Sequence, residues 1–152
     1  MDVKVFLDET EALLKQMGYE MGRLAGEEPQ IGDTLRALVP VDEVGNMVLL
    51  EVLAAPYTEE MLLVQIYTTM IAEIGPGYEA LKEMTQEWNL ACPLGAFGIY
   101  RQNRQFYHKY NYLLPVEGDP KEFAMEVFYV IHLVIDVITD IFPDAVRLSG
   151  HV

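Results

Sequence analysis

Residues 47–71 read MVLLEVLAAPYTEEMLLVQIYTTMI, and this stretch decides the fold. Two runs, 47–54 and 61–71, are rich in apolar and β-branched residues, which is typical of strands. In an antiparallel sheet with one wet face, strands alternate apolar and polar side chains. These runs instead carry apolar residues at nearly every position. The sequence therefore predicts that both faces of the central strands are covered.

The alternate positions of the two runs separate into two apolar sets. The first set begins with Val48, Leu50 and Val52. The second set, interrupted by Glu51, supplies the candidate partner-binding surface, which consists of Met47, Leu49, Leu53, Met61, Leu63 and Tyr67. Either the helices of one small domain cover both sets, or a second copy or another chain covers one of them.

Weaker patterns extend outward on both sides of this stretch. Residues 19–33 contain several structure breakers and are interpreted as a connector with room for a helical extension. Asp42 to Asn46 is typical of a hairpin turn. The predicted elements are a helix near 2–17, strands at 34–41, 47–54 and 61–71, a helix near 77–90, strands at 96–101 and 105–114, and a last helix. The fold class is therefore α+β, an antiparallel sheet in the order α-β-β-β-α-β-β-α, forming a single domain over 1–152.

The last helix has a clear start and an unusually apolar body. Asp119 is a natural N-cap and Pro120 suits the first helical position, so we expect the helix to run from there to about Ile141 and to end before Pro143. Apolar residues wrap most of its circumference, which is typical of a buried helix. Its polar stripe is narrow and consists of Glu122, Glu126, His132, Asp136 and Asp140.

The net charge of −14 narrows the choice of partners. Such a field repels nucleic acid and anionic membranes, and it favours solubility or a basic partner. Residues 91–120 are an exception, because Arg101, Arg104 and Lys109 make that segment nearly neutral. A lone cysteine, Cys92, and an acidic N-terminal segment are typical of a cytoplasmic protein. Charges interrupt the most apolar run, 123–142, and argue against a membrane span.

The titratable residues indicate no catalytic apparatus. His132, Asp136 and Asp140 share a helical face and could hold a divalent metal, but a solvated polar stripe is the favoured interpretation. His108 is interpreted as a strand or core histidine because no nucleophile lies near it in sequence. Cys92 is expected to be a buried, inert thiol. We therefore expect no enzyme activity, no metal and no cofactor.

The order of elements resembles that of the type III secretion chaperone-like fold and the related YbjN-like proteins. The junction from Glu87-Trp88-Asn89-Leu90 into Cys92-Pro93-Leu94-Gly95 and the strand after it is similar to the YbjN-type helix-to-strand junction. The resemblance implies a non-enzymatic bacterial role. Secretion chaperones are similar dimers that wrap an extended effector segment along apolar surface, and YbjN-like proteins are described as regulators without a defined chemistry.

Two functions are expected. The first is a protein-binding module, chaperone-like or regulatory, that forms a homodimer through the six-residue surface. The second is the alternative to it, a small-molecule binder or an unrecognised enzyme with a pocket between the sheet and the final helix; a cavity in which His108 or His132 converges with carboxylates would favour it.

Overall fold

The computed structural model describes residues 1–27 and 32–150. Its helices and strands are α1 Val3–Gln16, β1 Glu20–Leu24, β2 Thr34–Pro40, β3 Met47–Pro56, β4 Met61–Ile71, α2 Tyr78–Ala91, β5 Ala96–Tyr100, β6 Gln105–Pro115 and α3 Pro120–Ser149. The α+β class and the antiparallel sheet are confirmed. The order contains one strand more than the sequence predicted.

The six strands form one antiparallel sheet in the order β1-β2-β3-β4-β6-β5. The predicted turn at Asp42 joins β2 to β3, and the Asp42 carboxylate accepts hydrogen bonds from the backbone N–H groups of Val44 and Asn46 at 3.1 and 2.9 Å. The two longest strands, β4 and β6, are neighbours inside the sheet and pair over almost their full length. Residues that are distant in sequence therefore meet in rows that cross the sheet.

All three helices pack on one face of the sheet, which we call the covered face. Alternate residues of β3 and β4 point toward it and are fully buried, for example Val52, Val64 and Ile66. They share one apolar cluster with Phe6 of α1 and Ile131 of α3. Burying each such side chain contributes about 1.5–3 kcal/mol, so this layer supplies most of the stability.

No helix in the described parts of the chain is both long and apolar enough to cross a bilayer.

The segment predicted as a connector contains the extra strand, so the predicted helical extension is wrong for Glu20–Leu24. This strand pairs with β2 along the sheet edge. An ion-pair cluster fixes it to α1, because Arg23 contacts Asp8 at 2.6 Å and Glu11 at 2.7 Å. Residues 28–31 of the predicted connector lie outside the described residues.

The last helix continues past Pro143, so its predicted end at Ile141 is wrong. Proline removes one hydrogen bond, but tertiary contacts hold the final turns. The Ser149 carbonyl and hydroxyl oxygens accept hydrogen bonds at 3.0 Å from the N–H groups of Gly77 and Gly75. Gly77 permits this approach, because a Cβ there would lie 1.7 Å from the Leu148 carbonyl oxygen. The 30-residue helix is about 45 Å long.

The final helix is also not buried all round. Its fully buried residues recur every three or four positions along one face, from Ala124 to Ser149. Met125, Tyr129 and Leu133 lie on another face and are exposed, with Met125 at 65%. We call these three residues the helix stripe. Of the predicted polar stripe, Glu122, Glu126, Asp136 and Asp140 are exposed, as expected, whereas His132 is half-buried.

Candidate functional site

The face of the sheet opposite the helices is the candidate functional site, and we call it the open face. Within residues 1–27 and 32–150 no helix packs on it, and its side chains are half-buried or exposed. All six candidate partner-binding residues lie there, because they occupy the positions of β3 and β4 that alternate with buried ones. The face also includes Arg36, Leu38, Glu51, Ala55, Gln65, Thr69, Tyr107, Lys109, Asn111 and Leu113.

The apolar residues of the open face lie toward its two ends. At one end Leu38 is opposite Leu49 in the strand register. At the other end Leu63 lies opposite both Ala55 and Leu113. The exposed fractions of Leu38, Met47 and Leu113 are 37%, 54% and 43%, so the monomer leaves much of this surface in contact with water. Adjacent apolar side chains thus form a patch at each end of the open face, and exposed apolar patches are typical of interaction sites.

A row of charged residues crosses the middle of the open face. The register places Arg36 opposite Glu51, Glu51 opposite Tyr67, and Tyr67 opposite Lys109. The Arg36 Nε atom lies 3.4 Å from a Glu51 carboxylate oxygen. Lys109 is exposed and has no ion-pair partner in the part of the chain that the structure describes. We call Glu51, Tyr67 and Lys109 the central row.

Tyrosines occupy the side of the open face nearest β5. The rings of Tyr67 and Tyr107 stack with their centroids 5.0 Å apart, as diagonal neighbours on adjacent strands do. The Tyr67 hydroxyl donates a hydrogen bond to the Gln105 side-chain oxygen. Gly98 accommodates the other ring, since a Cβ there would lie 2.5 Å from the Tyr107 hydroxyl oxygen. Burial raises the pKa of Tyr67 to about 12, and Tyr107 and Glu51 add to the rise.

The charge of the open face differs from that of the whole chain. The chain has 24 acidic and 10 basic residues. On the open face Arg36 and Lys109 balance Glu51 and Glu20, the last of which lies opposite Leu38. This is therefore the surface that another acidic protein can approach with the least repulsion.

A groove of about 480 Å³ lies between α2, the segment before β5, and α3. Its apolar lining includes Trp88, Phe97 and Ile141. Carboxylates at its rim come from Glu87, Asp136 and Asp140, and the lining contains no basic side chain. The groove has the size and apolar lining of small-molecule sites.

Neither His108 nor His132 lines the groove. His108 is fully buried, and its Nε2 lies 2.7 Å from the Leu94 carbonyl oxygen. The prediction of a core histidine is therefore confirmed. Burial lowers the pKa of His108, while the Leu94 contact opposes that shift. His132 is half-buried, with Nδ1 2.9 Å from the Phe128 carbonyl oxygen.

Cys92 has an ordinary structural contact. Cys92 is half-buried rather than buried, lines the groove, and its thiol donates a hydrogen bond to the Leu94 carbonyl oxygen at 3.1 Å. Asp136 and Asp140 line the groove, whereas His132 does not. Among the described residues no three His, Cys, Asp or Glu side chains are grouped closely enough to hold a metal ion.

The junction behind the family resemblance has a structural role. Asn89 bonds both backbone groups of Phe97, accepting from its N–H at 2.8 Å and donating to its carbonyl at 2.9 Å. This contact fixes the short edge strand β5 to α2. Trp88 packs edge-on against Phe97, with ring centroids 6.2 Å apart.

Sequence reasoning missed the part of the open face on β6. Tyr107, Lys109 and Leu113 alternate with the buried residues Phe106, His108 and Leu114. The period-two alternation of residues 105–114 is the sequence signal that identifies this part of the face.

No protein-family model matches the chain, and no curated protein matches it.

Proposed function

We propose that this chain is a non-enzymatic protein-binding module, chaperone-like or regulatory, that pairs with a second copy of itself through the open face. The observation that carries the proposal is the open face itself: an apolar, charge-balanced surface on a strongly acidic chain, lying opposite a fully packed helical layer. The proposed setting is a reducing bacterial cytoplasm: the single cysteine favours the reducing compartment, and the family resemblance implies a bacterial role.

Charge favours a second copy over a basic partner. A basic protein is attracted to the acidic helical side, whereas the open face carries equal numbers of acidic and basic groups on the described strands. Two acidic chains repel each other least when neutral surfaces meet. Apolar burial then supplies the favourable free energy, at about 25 cal/mol per Å² of buried apolar area.

The open face is large enough for such an interface. The six strands have 5 to 11 residues. With strands about 4.8 Å apart and an average of about eight residues at about 3.4 Å, the face spans roughly 29 by 27 Å. That is about 780 Å², close to the roughly 800 Å² that one partner contributes to a standard interface. The resemblance to secretion chaperones and YbjN-like proteins supports a protein-binding role, although the observed chain has one strand more than the order behind that resemblance.

Light scattering at micromolar concentration tests the proposal. We expect the mass of a dimer for the native chain and of a monomer for Leu63→Asp, because the substitution places a charge in the middle of the apolar end of the face. Glu59→Gln, in the exposed turn between β3 and β4, is the matched control and should remain dimeric. A native chain that stays monomeric, or a Leu63→Asp variant that stays dimeric, contradicts the proposal.

The groove between α2 and α3 favours a second candidate function, the binding of a small apolar amine. Its apolar floor suits a hydrocarbon or aromatic body, and the rim carboxylates Glu87, Asp136 and Asp140 attract a cationic head. A ligand that binds only the native state must raise the melting temperature. Thermal shifts with aromatic and alkyl amines should therefore be positive for the native chain and smaller for Asp136→Asn. Equal shifts with the uncharged analogues, or none with any amine, exclude this candidate.

A further inference from the structure

We infer that the two copies meet face to face about a twofold axis that runs along β4, so that Glu51 of each subunit pairs with Lys109 of the other. This inference rests on the proposed function and specifies its geometry. It uses only the strand order and the central row, and it assigns a role to Lys109, an exposed cation without an ion-pair partner in the described residues.

The strand order determines which residues face each other. β3 and β6 flank β4 on its two sides, and the register places Glu51, Tyr67 and Lys109 at one level across these three strands. A twofold axis between the sheets and along β4 exchanges the two flanks. Glu51 then faces the partner's Lys109, Lys109 faces the partner's Glu51, and the two Tyr67 rings meet at the axis.

The same operation brings apolar residues together toward the two ends of the face. Leu49 and Tyr107 both lie opposite Thr69 on its two sides, so Leu49 faces the partner's Tyr107. Leu63 lies on the axis and meets its own copy. The charged central row thus has the Leu49–Tyr107 contact on one side. On its other side Leu53 faces the partner's Asn111, because Leu53 and Asn111 both lie opposite Gln65. Reduced access of water from the Leu49–Tyr107 side strengthens the ion pairs of the row.

The other simple twofold arrangement is unfavourable. An axis that runs across the strands along the central row places every strand opposite its own copy. Glu51 then faces the partner's Glu51, and Lys109 faces the partner's Lys109. Like charges that are brought together and partly dehydrated repel strongly, so the central row selects the axis along β4.

The crossing of packed sheets leaves the proposed pairs within reach. Face-to-face sheets cross at about 30°. Glu51 and Lys109 are each one strand, about 4.8 Å, from the axis, so the crossing displaces a facing pair by only about 2.5 Å. A lysine side chain with four methylene groups covers that displacement.

A charge exchange tests the geometry. Glu51→Lys alone and Lys109→Glu alone each make both pairs repulsive, so we expect each to weaken the homodimer at least tenfold in Kd by sedimentation. When the two variants are mixed in equal amounts, both pairs become attractive again, and the heterodimer should form with a Kd within about threefold of the native value. Circular dichroism verifies that each variant is folded before mixing.

Controls separate this inference from the proposed function. Glu83→Lys and Lys82→Glu make the same charge changes at exposed positions of α2 and should leave Kd unchanged. If the single variants dimerise normally, or if mixing does not restore the dimer, the inferred axis is wrong; the proposed function survives that result as long as Leu63→Asp still abolishes the dimer. If the native chain itself is monomeric, both fail.

Discussion

The two faces of the central strands have similar sequences and different surroundings. On β4, Val64 and Ile66 are fully buried beneath the helices, whereas their neighbours Leu63 and Tyr67 are only half-buried. Both sets are apolar, so composition alone does not distinguish them. The difference shows that this chain contains more apolar sheet surface than its own three helices cover. The proposed function follows from that excess.

The difference between the two faces is tested most clearly by placing one charge on each face and comparing the stability of the two variants. Val64→Asp puts a carboxylate into the apolar core without a partner, and we expect a loss of at least about 4 kcal/mol in the free energy of unfolding, enough to unfold most of the protein. Leu63→Asp, one residue away, should change the stability of the folded subunit by less than about 1 kcal/mol. Urea unfolding, at a protein concentration too low for the dimer to form, measures the free energy of unfolding of both variants. Equal losses would show that the open face is structurally part of the core.

A smaller loss of stability, dependent on pH, is predicted from His108 on the covered face. Burial lowers the pKa of His108 below its usual 6.5, so the unfolded chain binds the proton more readily than the folded chain does. The stability from the neutral ring is complete above pH 6.5 and is lost as the pH falls through the lower pKa of the folded state. Between pH 7 and 5.5 the free energy of unfolding of the native chain should therefore decrease, and that of His108→Gln should remain nearly level. A parallel decrease in both would exclude His108 as the cause.

The smallest predicted loss of stability comes from Tyr67 on the open face. Tyr67→Phe removes the hydroxyl group that donates to Gln105 and should cost about 1 kcal/mol. Because the pKa of Tyr67 is raised to about 12, the folded chain keeps this proton at pH values where the unfolded chain has lost it. Stability from Tyr67 is present below pH 10 and is lost as the pH rises toward 12. Unfolding measured at pH 9 and pH 11 should show this loss in the native chain and less of it in Tyr67→Phe.

Tyr107→Phe is the matched control for that experiment. Its ring contributes the same stack on Tyr67, and the phenylalanine preserves the stack while removing only a hydroxyl group. The alkaline loss of stability should persist in this variant but be somewhat smaller, because the Tyr107 hydroxyl contributes to the raised pKa of Tyr67. If the loss disappears fully in both variants, the interaction between the two hydroxyl groups, rather than burial of the Tyr67 hydroxyl, accounts for the pH dependence.

Local patterns predicted most of the elements. The bounds of β4 agree with the prediction of 61–71, because its dense β-branched and apolar run has no competing helical period. The start of α3 was also predictable, since Asp119 caps the helix by accepting a hydrogen bond from the Lys121 N–H at 2.9 Å. The six candidate residues were grouped correctly on one face by alternation alone.

The features that depend on tertiary contacts were not predictable. β1 lacks apolar alternation, and it is held by pairing with β2 and by the ion pairs of Arg23, which join residues distant in sequence. The end of α3 depends on contacts with Gly75 and Gly77 that outweigh the effect of Pro143. The sequence also did not show which face the helices cover, or that Glu51 and Lys109 share one row, because both follow from the strand order.

Methionine oxidation measured across a range of protein concentrations tests the central claim most directly. Met47 and Met61 lie on the open face, and Met125 lies on the helix stripe with a comparable or greater exposed fraction. We expect oxidation of Met47 and Met61 to slow as the concentration rises through the dimer Kd, while the rate at Met125 stays constant. Protection of Met125 alone, or constant rates at all three residues, would contradict the claim that a second copy covers the open face.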